Sequence, residues 1–225
     1  MTNIQIQLPE FDNQAISLVC LPIMDKILND TIGCIQQIRS TVGHAVHPPP
    51  PDPNRFDSTA VIALFLCSRN PALLFIQKAD VAGYPWRNQM AFPGGHVDKT
   101  DAGPLETALR ELKEELCIHP DNVDVIGSIG HFQTINDKDI QAFAGIWNQK
   151  EAIWFDPAEI CRVFQIPVAH LLTLHQKKGF QGQTPPVMEL TYPFEDVVIW
   201  GVTAKIVHHL LEVLIQSKHP VQTSG

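Results

Sequence analysis

The stretch AFPGGHVDKTDAGPLETALRELKEELCI runs from Ala91 to Ile118 and decides the fold of the chain. Its first part is a Pro-Gly-Gly turn. Its second part has apolar residues at the spacing of one helical face, which predicts a helix over 105–116. The apolar face consists of Leu105, Ala108, Leu109, Leu112 and Leu116. This pattern predicts that the helix is anchored on a hydrophobic core.

Three glutamates lie on the opposite side of the predicted helix. At 100° per residue, Glu111, Glu114 and Glu115 fall within an arc of roughly 100°. Like charges at this spacing repel one another, and the neighbouring Arg110 cannot balance three of them. Carboxylates are hard oxygen ligands that suit Mg²⁺ or Mn²⁺. The pattern therefore predicts a divalent cation between the glutamates, and the alternative is a solvated acidic face.

The glycine pair before the helix favours the metal site. Gly94 and Gly95 permit a positive φ and a close approach of the backbone to a ligand. The carbonyl of Gly95 is a candidate to complete the shell of the cation. A helix with a solvated acidic face would not require two glycines before its N-terminus.

The whole segment resembles the signature of the Nudix hydrolases. The matching residues are Gly95, Arg110, Glu111, Leu112, Glu114, Glu115, Leu116 and Ile118. Two departures are visible: Asp101 stands where Glu is usual and lies one residue farther from Arg110, and Cys117 takes the usual glycine position. The resemblance implies an α/β protein with the Nudix fold, an α/β/α sandwich around a mixed sheet.

The resemblance also implies the reaction and the roles of residues. The reaction is Mg²⁺-dependent hydrolysis, with Mn²⁺ as a possible substitute, of a nucleoside diphosphate linked to another moiety. Gly95, Glu111, Glu114 and Glu115 are the implied metal ligands. The three glutamates and Arg110 form the implied catalytic set, and Arg110 fixes the rotamer of one glutamate. The general base stays open among Glu114, Glu151 and Glu159.

A narrower resemblance is to the subgroup that includes coenzyme A pyrophosphatases. The matching residues near the turn are Phe92, Asp101, Thr107 and Ala108. The segments DPAEICRVFQIPVAHLL and VIWGVTAKIVHHLL are similar to two later segments of that subgroup. In its upstream motif Gln89 is kept, whereas Lys78 replaces an arginine and Asn88 a glycine. The resemblance implies coenzyme A or a derivative as the substrate.

Residues beside the glycine turn are candidates for binding the substrate. Lys78 and Arg87 flank the turn and carry charge suited to phosphate, and Phe92 belongs to the turn motif. Tyr84 and Trp86 could stack on a base, although packing within the loop is the simpler interpretation. For Arg87 the alternative is a solvated surface.

The rest of the chain divides at a proline-rich segment. HPPPPDPN, over 47–54, predicts an extended spacer. We expect an N-terminal helical arm with this spacer over 1–54 and the Nudix hydrolase domain over 55–225. Apolar spacing predicts a helix over 23–38, which packs on the domain or on a second subunit of a homodimer.

Strands are predicted over 58–68, 72–79, 122–134 and 140–148, and two more within 185–201. The segment DPAEICRVFQIP predicts a short helix that starts at Asp156 and stops at Pro167. The segment VTAKIVHHLLEVLIQS predicts a closing amphipathic helix.

Composition narrows the class of protein. The formal charge of −8 argues against a general nucleic-acid binder. The five scattered cysteines and the absence of an export signal favour the cytoplasm. No apolar run approaches the roughly 20 residues that cross a bilayer.

Two further expectations concern the histidines and the function. His208 and His209 are adjacent on a helix and point apart, so we expect no structural zinc site. A small-molecule nucleotide is the expected partner. The alternative function is a catalytically idle module that binds a nucleotide and regulates a partner, and the retention of all three glutamates favours the enzyme.

Overall fold

The computed structural model describes residues 31–52, 55–83 and 86–216. Four helices are α1 (Thr31–Gly43), α2 (Pro104–Leu116), α3 (Val168–Lys177) and α4 (Gly201–Gln216). The strands are β1 (Asp57–Leu66), β2 (Ala72–Lys78), β3 (Met90–Ala91), β4 (Gly94–His96), β5 (Val123–Gln133), β6 (Lys138–Trp147), β7 (Ile160–Pro167), β8 (Tyr192–Phe194) and β9 (Val197–Ile199). A 3₁₀ turn covers Pro120–Asn122.

Strands β1 to β7 form one mixed sheet. β1 pairs in parallel with β6 and antiparallel with β2 and β4. β2 also pairs antiparallel with β3 and β7, and β5 pairs antiparallel with β6. β8 and β9 form a separate hairpin.

Both faces of the sheet are covered, because the central strand is apolar on both sides. Along β1, Ile62 and Leu64 face a core shared with α2, whereas Ala63 and Phe65 face a core shared with α1, α3 and α4. This alternation follows from the period of two along a strand. The architecture is thus an α/β/α sandwich around a mixed sheet, as predicted.

Helix α1 packs on the domain. The predicted helix over 23–38 falls partly outside the described residues, and α1 continues to Gly43. Its buried residues Cys34, Ile38 and Val42 join the core beneath α4. The first part of the spacer contacts β5, where the backbone N–H of His131 donates to the carbonyl of Pro48 at 3.1 Å. The division into an arm and a domain at residue 54 stays a prediction.

Two local predictions were wrong. The segment predicted as a helix over 156–167 is mainly strand β7, preceded by a turn in which the N–H of Ile160 donates to the carbonyl of Asp156. Pairing along most of β2 overrides the helix-start signal at Asp156. The glycine pair lies in the short strand β4, paired with β1, instead of in a tight turn.

The other predicted strands and the closing helix are confirmed within one to three residues at most ends. Among residues 31–52, 55–83 and 86–216, no helix has both the length and the apolar character that a membrane span requires.

Candidate active site

Helix α2 carries the acidic residues and is anchored by its apolar face. Ala108, Leu112 and Leu116 are fully buried against β1 and β2. This fixes the rotation of the helix, so that its glutamates turn towards the edge where β4 begins. Pro104 occupies the first turn, where the missing N–H has no intrahelical partner to lose.

Glu115 is the buried member of the acidic set, with 6% of the residue exposed. Its carboxylate accepts from the ammonium group of Lys78 and, at 3.1 Å, from the backbone N–H of Gly94. Burial raises the pKa of Glu115, and these two donors oppose the shift. Lys78 was predicted to meet phosphate, and its bond to Glu115 had no local signal in the sequence.

Glu111 lies directly against Gly95. A Cβ atom added at Gly95 would lie 2.3 Å from Cδ of Glu111, so the Glu111 carboxylate would have to move. Gly94 is constrained too, since a Cβ there would lie 2.1 Å from the carbonyl oxygen of Ala60. The glycines thus allow close approach to β1 and to Glu111, whereas the predicted approach to a ligand stays a prediction.

Arg110 organises the entrance to the site. Its Nε and Nη2 atoms donate to the two oxygens of Asp101, each at 3.1 Å. Its Nη1 atom donates to Glu111 at 2.8 Å and to Glu114 at 3.0 Å. The Thr107 hydroxyl donates to Asp101 at 2.7 Å. Arg110 and Thr107 hold the pKa of the Asp101 carboxyl below its usual range.

Glu114 stands apart from the other two glutamates. Its side chain is 59% exposed and reaches Arg110, one turn earlier on α2. Glu111 and Glu115 line one cavity of about 430 Å³, and Glu114 does not line it. The cavity also contains Gly95, Lys78 and Glu159.

A second cavity of about 220 Å³ adjoins the first on the other side of the glycine pair. Lys78, Gly94, Gly95 and His96 line both cavities. The second cavity is mainly apolar, and its walls include Val61, Phe92, Ile140, Val202 and Ile206. The two cavities together offer an acidic compartment continuous with an apolar one.

The predicted substrate residues separate into two groups. Phe92 is buried, stacks on Phe75 with ring centroids 4.6 Å apart, and lines the apolar cavity, as does Trp86. Arg87 is exposed, lies 3.8 Å from Asp80 and lines neither cavity. Tyr84 lies outside the described residues.

The candidates for the general base differ in their position relative to the acidic cavity. Glu159 lines the acidic cavity. Glu151 accepts from the backbone N–H of His119 at 2.8 Å, at the far end of α2 from Gly95. Sequence could not choose among them, because the position of Glu159 depends on the turn before β7.

Comparison with known proteins agrees with this geometry. The profile of the NUDIX domain matches residues 57–191. A protein named uncharacterized Nudix hydrolase NudL, from Pectobacterium atrosepticum, is 30% identical over 154 residues, which cover 67% of this chain and 79% of that protein. Its namesake from Photorhabdus laumondii is 30% identical over 173 residues, covering 73% and 90%. A solved MutT/nudix family protein from Enterococcus faecalis has a TM-score of 0.47 and 16% identity, covering 74% and 65%.

The chain therefore belongs to the Nudix family. It is a Nudix hydrolase, an enzyme that acts on pyrophosphate bonds in nucleoside diphosphate derivatives. Enzymes of this family generally use divalent metals such as Mg²⁺.

Proposed function

We propose that this enzyme is a Mg²⁺-dependent pyrophosphohydrolase, with Mn²⁺ as a substitute, whose substrate is coenzyme A or a derivative. One observation carries the proposal. Glu111 and Glu115 line an acidic cavity, which adjoins an apolar cavity. Lys78 lines both cavities. Such a site suits a molecule with a charged pyrophosphate and a long arm of mixed apolar and amide groups, since Gln89 and Asn136 also line the second cavity.

The donor set fits a hard divalent cation. The carboxylates here outnumber the protein cations by at least two, which is the charge of Mg²⁺. The carboxylates are Asp101, Glu111, Glu114 and Glu115, and the cations are Lys78 and Arg110. We assign Glu111, Glu115 and the Gly95 carbonyl as ligands at the acidic cavity. We also assign Glu114, which lies outside that cavity beside Arg110 and has to turn towards the cation to bind it. When bound, the cation offsets the negative charge that develops on the pyrophosphate.

The protein groups then have separate tasks. Arg110 holds the carboxylates of Glu111 and Glu114, so their oxygens are positioned before the substrate arrives. Lys78 lies where the two cavities meet and can approach a phosphate that crosses from one to the other. Glu159 accepts the proton of the attacking water, because it lines the acidic cavity together with Glu111.

The conformation of Asn88 supports the coenzyme A assignment. It stands where the subgroup motif has glycine, and its φ of 58° lies in the left-handed region that glycine favours. Asn is among the side chains that adopt this region most readily. A glycine at this position could adopt the same φ, so the replacement by Asn88 is compatible with the motif.

A panel of substrates tests the proposal. Coenzyme A, an acyl-coenzyme A, ADP-ribose and a sugar nucleotide are incubated with and without Mg²⁺, and the products are read by mass spectrometry. We expect coenzyme A to be split into its two phosphorylated halves only when Mg²⁺ is present. Faster cleavage of ADP-ribose would overturn the substrate assignment. If no substrate of the panel is hydrolysed but nucleotides bind tightly, the alternative function is favoured, a catalytically inactive module that binds a nucleotide and regulates a partner.

Paired variants test the general base. Glu159→Gln should lower kcat by about 10² to 10⁴-fold, with little change in KM. Glu151→Gln is the matched control, since Glu151 caps the backbone at His119. Equal losses in both variants would contradict the assignment to Glu159.

We further propose that the partner is a small nucleotide and not nucleic acid, since the net charge is −8. The cytoplasm is the proposed compartment. A homodimer stays a prediction, which size-exclusion chromatography with light scattering can check.

A further inference from the structure

Three metal-ligating side chains meet on the face of the sheet opposite to α2. His175 comes from α3, and His208 and Glu212 come from α4. One donor atom from each lies within 4.8 Å of the others. Within 31–52, 55–83 and 86–216, this is the only group of three or more His, Cys, Asp or Glu side chains gathered so closely.

The spacing on α4 explains how two of them converge. His208 and Glu212 are four residues apart, so they lie one above the other on a single helix face. His209, the adjacent residue, instead contacts Nδ1 of His47 at 2.9 Å. The expectation that neighbouring histidines point apart is therefore met, and the second imidazole of the cluster comes from another helix.

The nitrogen Nε2 of His208 is buried and has no hydrogen-bond partner among the described residues. Beside it, Nε2 of His175 and a carboxylate oxygen of Glu212 are 2.7 Å apart. A buried polar atom without a partner is costly and uncommon in native proteins. Here the unpaired nitrogen lies next to two groups that could share a cation with it.

Neighbouring residues already orient His175 and Glu212 by hydrogen bonds. Nδ1 of His175 lies 2.9 Å from the hydroxyl of Tyr192, and the backbone N–H of Gly182 donates to both oxygens of Glu212 at 3.1 Å. Hydrogen bonds of this kind, to the second ring nitrogen and to the carboxylate, typically surround protein metal sites.

We propose that His175, His208 and Glu212 form a Zn²⁺ site that clamps α3 to α4. Two imidazoles and one carboxylate are a common ligand set for Zn²⁺, and the mixed donors disfavour Mg²⁺. The site is distinct from the glutamates of α2, because the sheet lies between the two cores.

Binding requires a tautomer change at His175. In the metal-free state Nε2–H donates to Glu212 and Nδ1 accepts from Tyr192. The cation takes the bare Nε2, so the ring proton moves to Nδ1 and Nδ1–H donates to the hydroxyl oxygen of Tyr192. The ring stays neutral, and Glu212 exchanges a hydrogen bond for a bond to the metal.

The experiment measures Zn²⁺ in the full chain with excess Mg²⁺ present to compete at the acidic helix. We expect one equivalent of Zn²⁺ after dialysis and a rise in Tm. His208→Ala should lose that equivalent and the rise in Tm. Because Nε2 of His208 has no partner to lose, this variant should fold normally without metal.

Three further variants separate the explanations. His170→Ala changes a half-buried histidine on the same helix as His175, whose Nε2 lies 2.9 Å from the Pro193 carbonyl, and should keep the zinc. Glu114→Gln should also keep it. Tyr192→Phe should weaken binding about tenfold and, in a Co²⁺-loaded sample, shift the visible absorption. Zinc retained by His208→Ala, or lost with Glu114→Gln, would overturn the proposal and show that His175 and Glu212 form a hydrogen-bonded pair without a metal.

Discussion

The ammonium group of Lys78 on β2 is bonded to the buried carboxylate of Glu115 on α2, across 37 residues of sequence. The Gly94 N–H completes the carboxylate's environment. Burial raises the pKa of Glu115, and Lys78 is the main opposing influence. The pair thus favours the ionised form of a carboxylate that we assign to metal binding.

Removal of Lys78 should destabilise the fold through Glu115. Lys78→Met keeps the length of the side chain but leaves a buried carboxylate without its cation. We expect a loss of about 3 kcal/mol in the free energy of unfolding at neutral pH. The measurement is urea denaturation with a chelator present, so that no metal replaces the lost charge.

The loss in Lys78→Met should depend on pH in a stated direction. The pKa of Glu115 is raised in the folded state, so the fold loses stability as pH rises through that pKa. Lys78→Met should raise the folded pKa of Glu115 further. The difference from the wild type should be small below about pH 4, where Glu115 is protonated in both states, and should grow towards neutral pH. A difference that is constant with pH would show that Lys78 acts through packing.

Substitution of Gly95 should abolish activity while sparing the fold. In Gly95→Ala the new methyl group collides with Glu111 and displaces its carboxylate. We expect kcat/KM to fall by about 100-fold or more. Gly103→Ala is the matched control, because Gly103 is extended and a Cβ there meets nothing within 4 Å. Near wild-type activity in Gly95→Ala would contradict the assigned role of Glu111.

Neutralising Asp101 should release Arg110. In Asp101→Asn, Arg110 loses its two hydrogen bonds to the Asp101 carboxylate. The carboxylates of Glu111 and Glu114, which Arg110 also binds, should then become less ordered. We expect kcat/KM to fall about tenfold. Asp98→Asn is the control, since Asp98 is mostly exposed and lies 3.6 Å from Arg110.

The stability effect of Asp101→Asn should fade in acid. The folded pKa of Asp101 is lowered, so this carboxylate stabilises the fold above its ordinary pKa of about 3.9. That stabilisation is lost as pH falls through the folded pKa. Unfolding curves of wild type and variant should therefore differ at neutral pH and approach each other below about pH 3.

Replacing Cys117 with glycine should stabilise the fold. It follows α2 with φ of 57°, a left-handed conformation in which a Cβ atom is unfavourable, and its N–H donates to the Lys113 carbonyl. Cys117→Gly should raise the free energy of unfolding by about 1 kcal/mol. Cys117→Ala removes the thiol but keeps the Cβ, so thermal denaturation should show no gain. A gain in both variants would point to the thiol instead of the backbone.

The sequence by itself determined the elements with strong local periodicity. The apolar face of α2, the continuous apolar run of β1 and the glycine pair could all be read from residues close together in the chain. Helix 156–167 was predicted wrongly because a local start signal at Asp156 outweighed the period-two pattern of Ile160, Phe164 and Ile166, which was the available sign of a strand.

Only the tertiary structure decided which distant groups meet. Lys78 reaches Glu115, Glu159 enters the acidic cavity while Glu151 does not, and His175 joins His208 across two helices. The physical reason is that periodicity fixes the face on which a side chain lies, but its partner depends on strand pairing and helix packing. Those contacts form between segments far apart in sequence, where no local pattern records them.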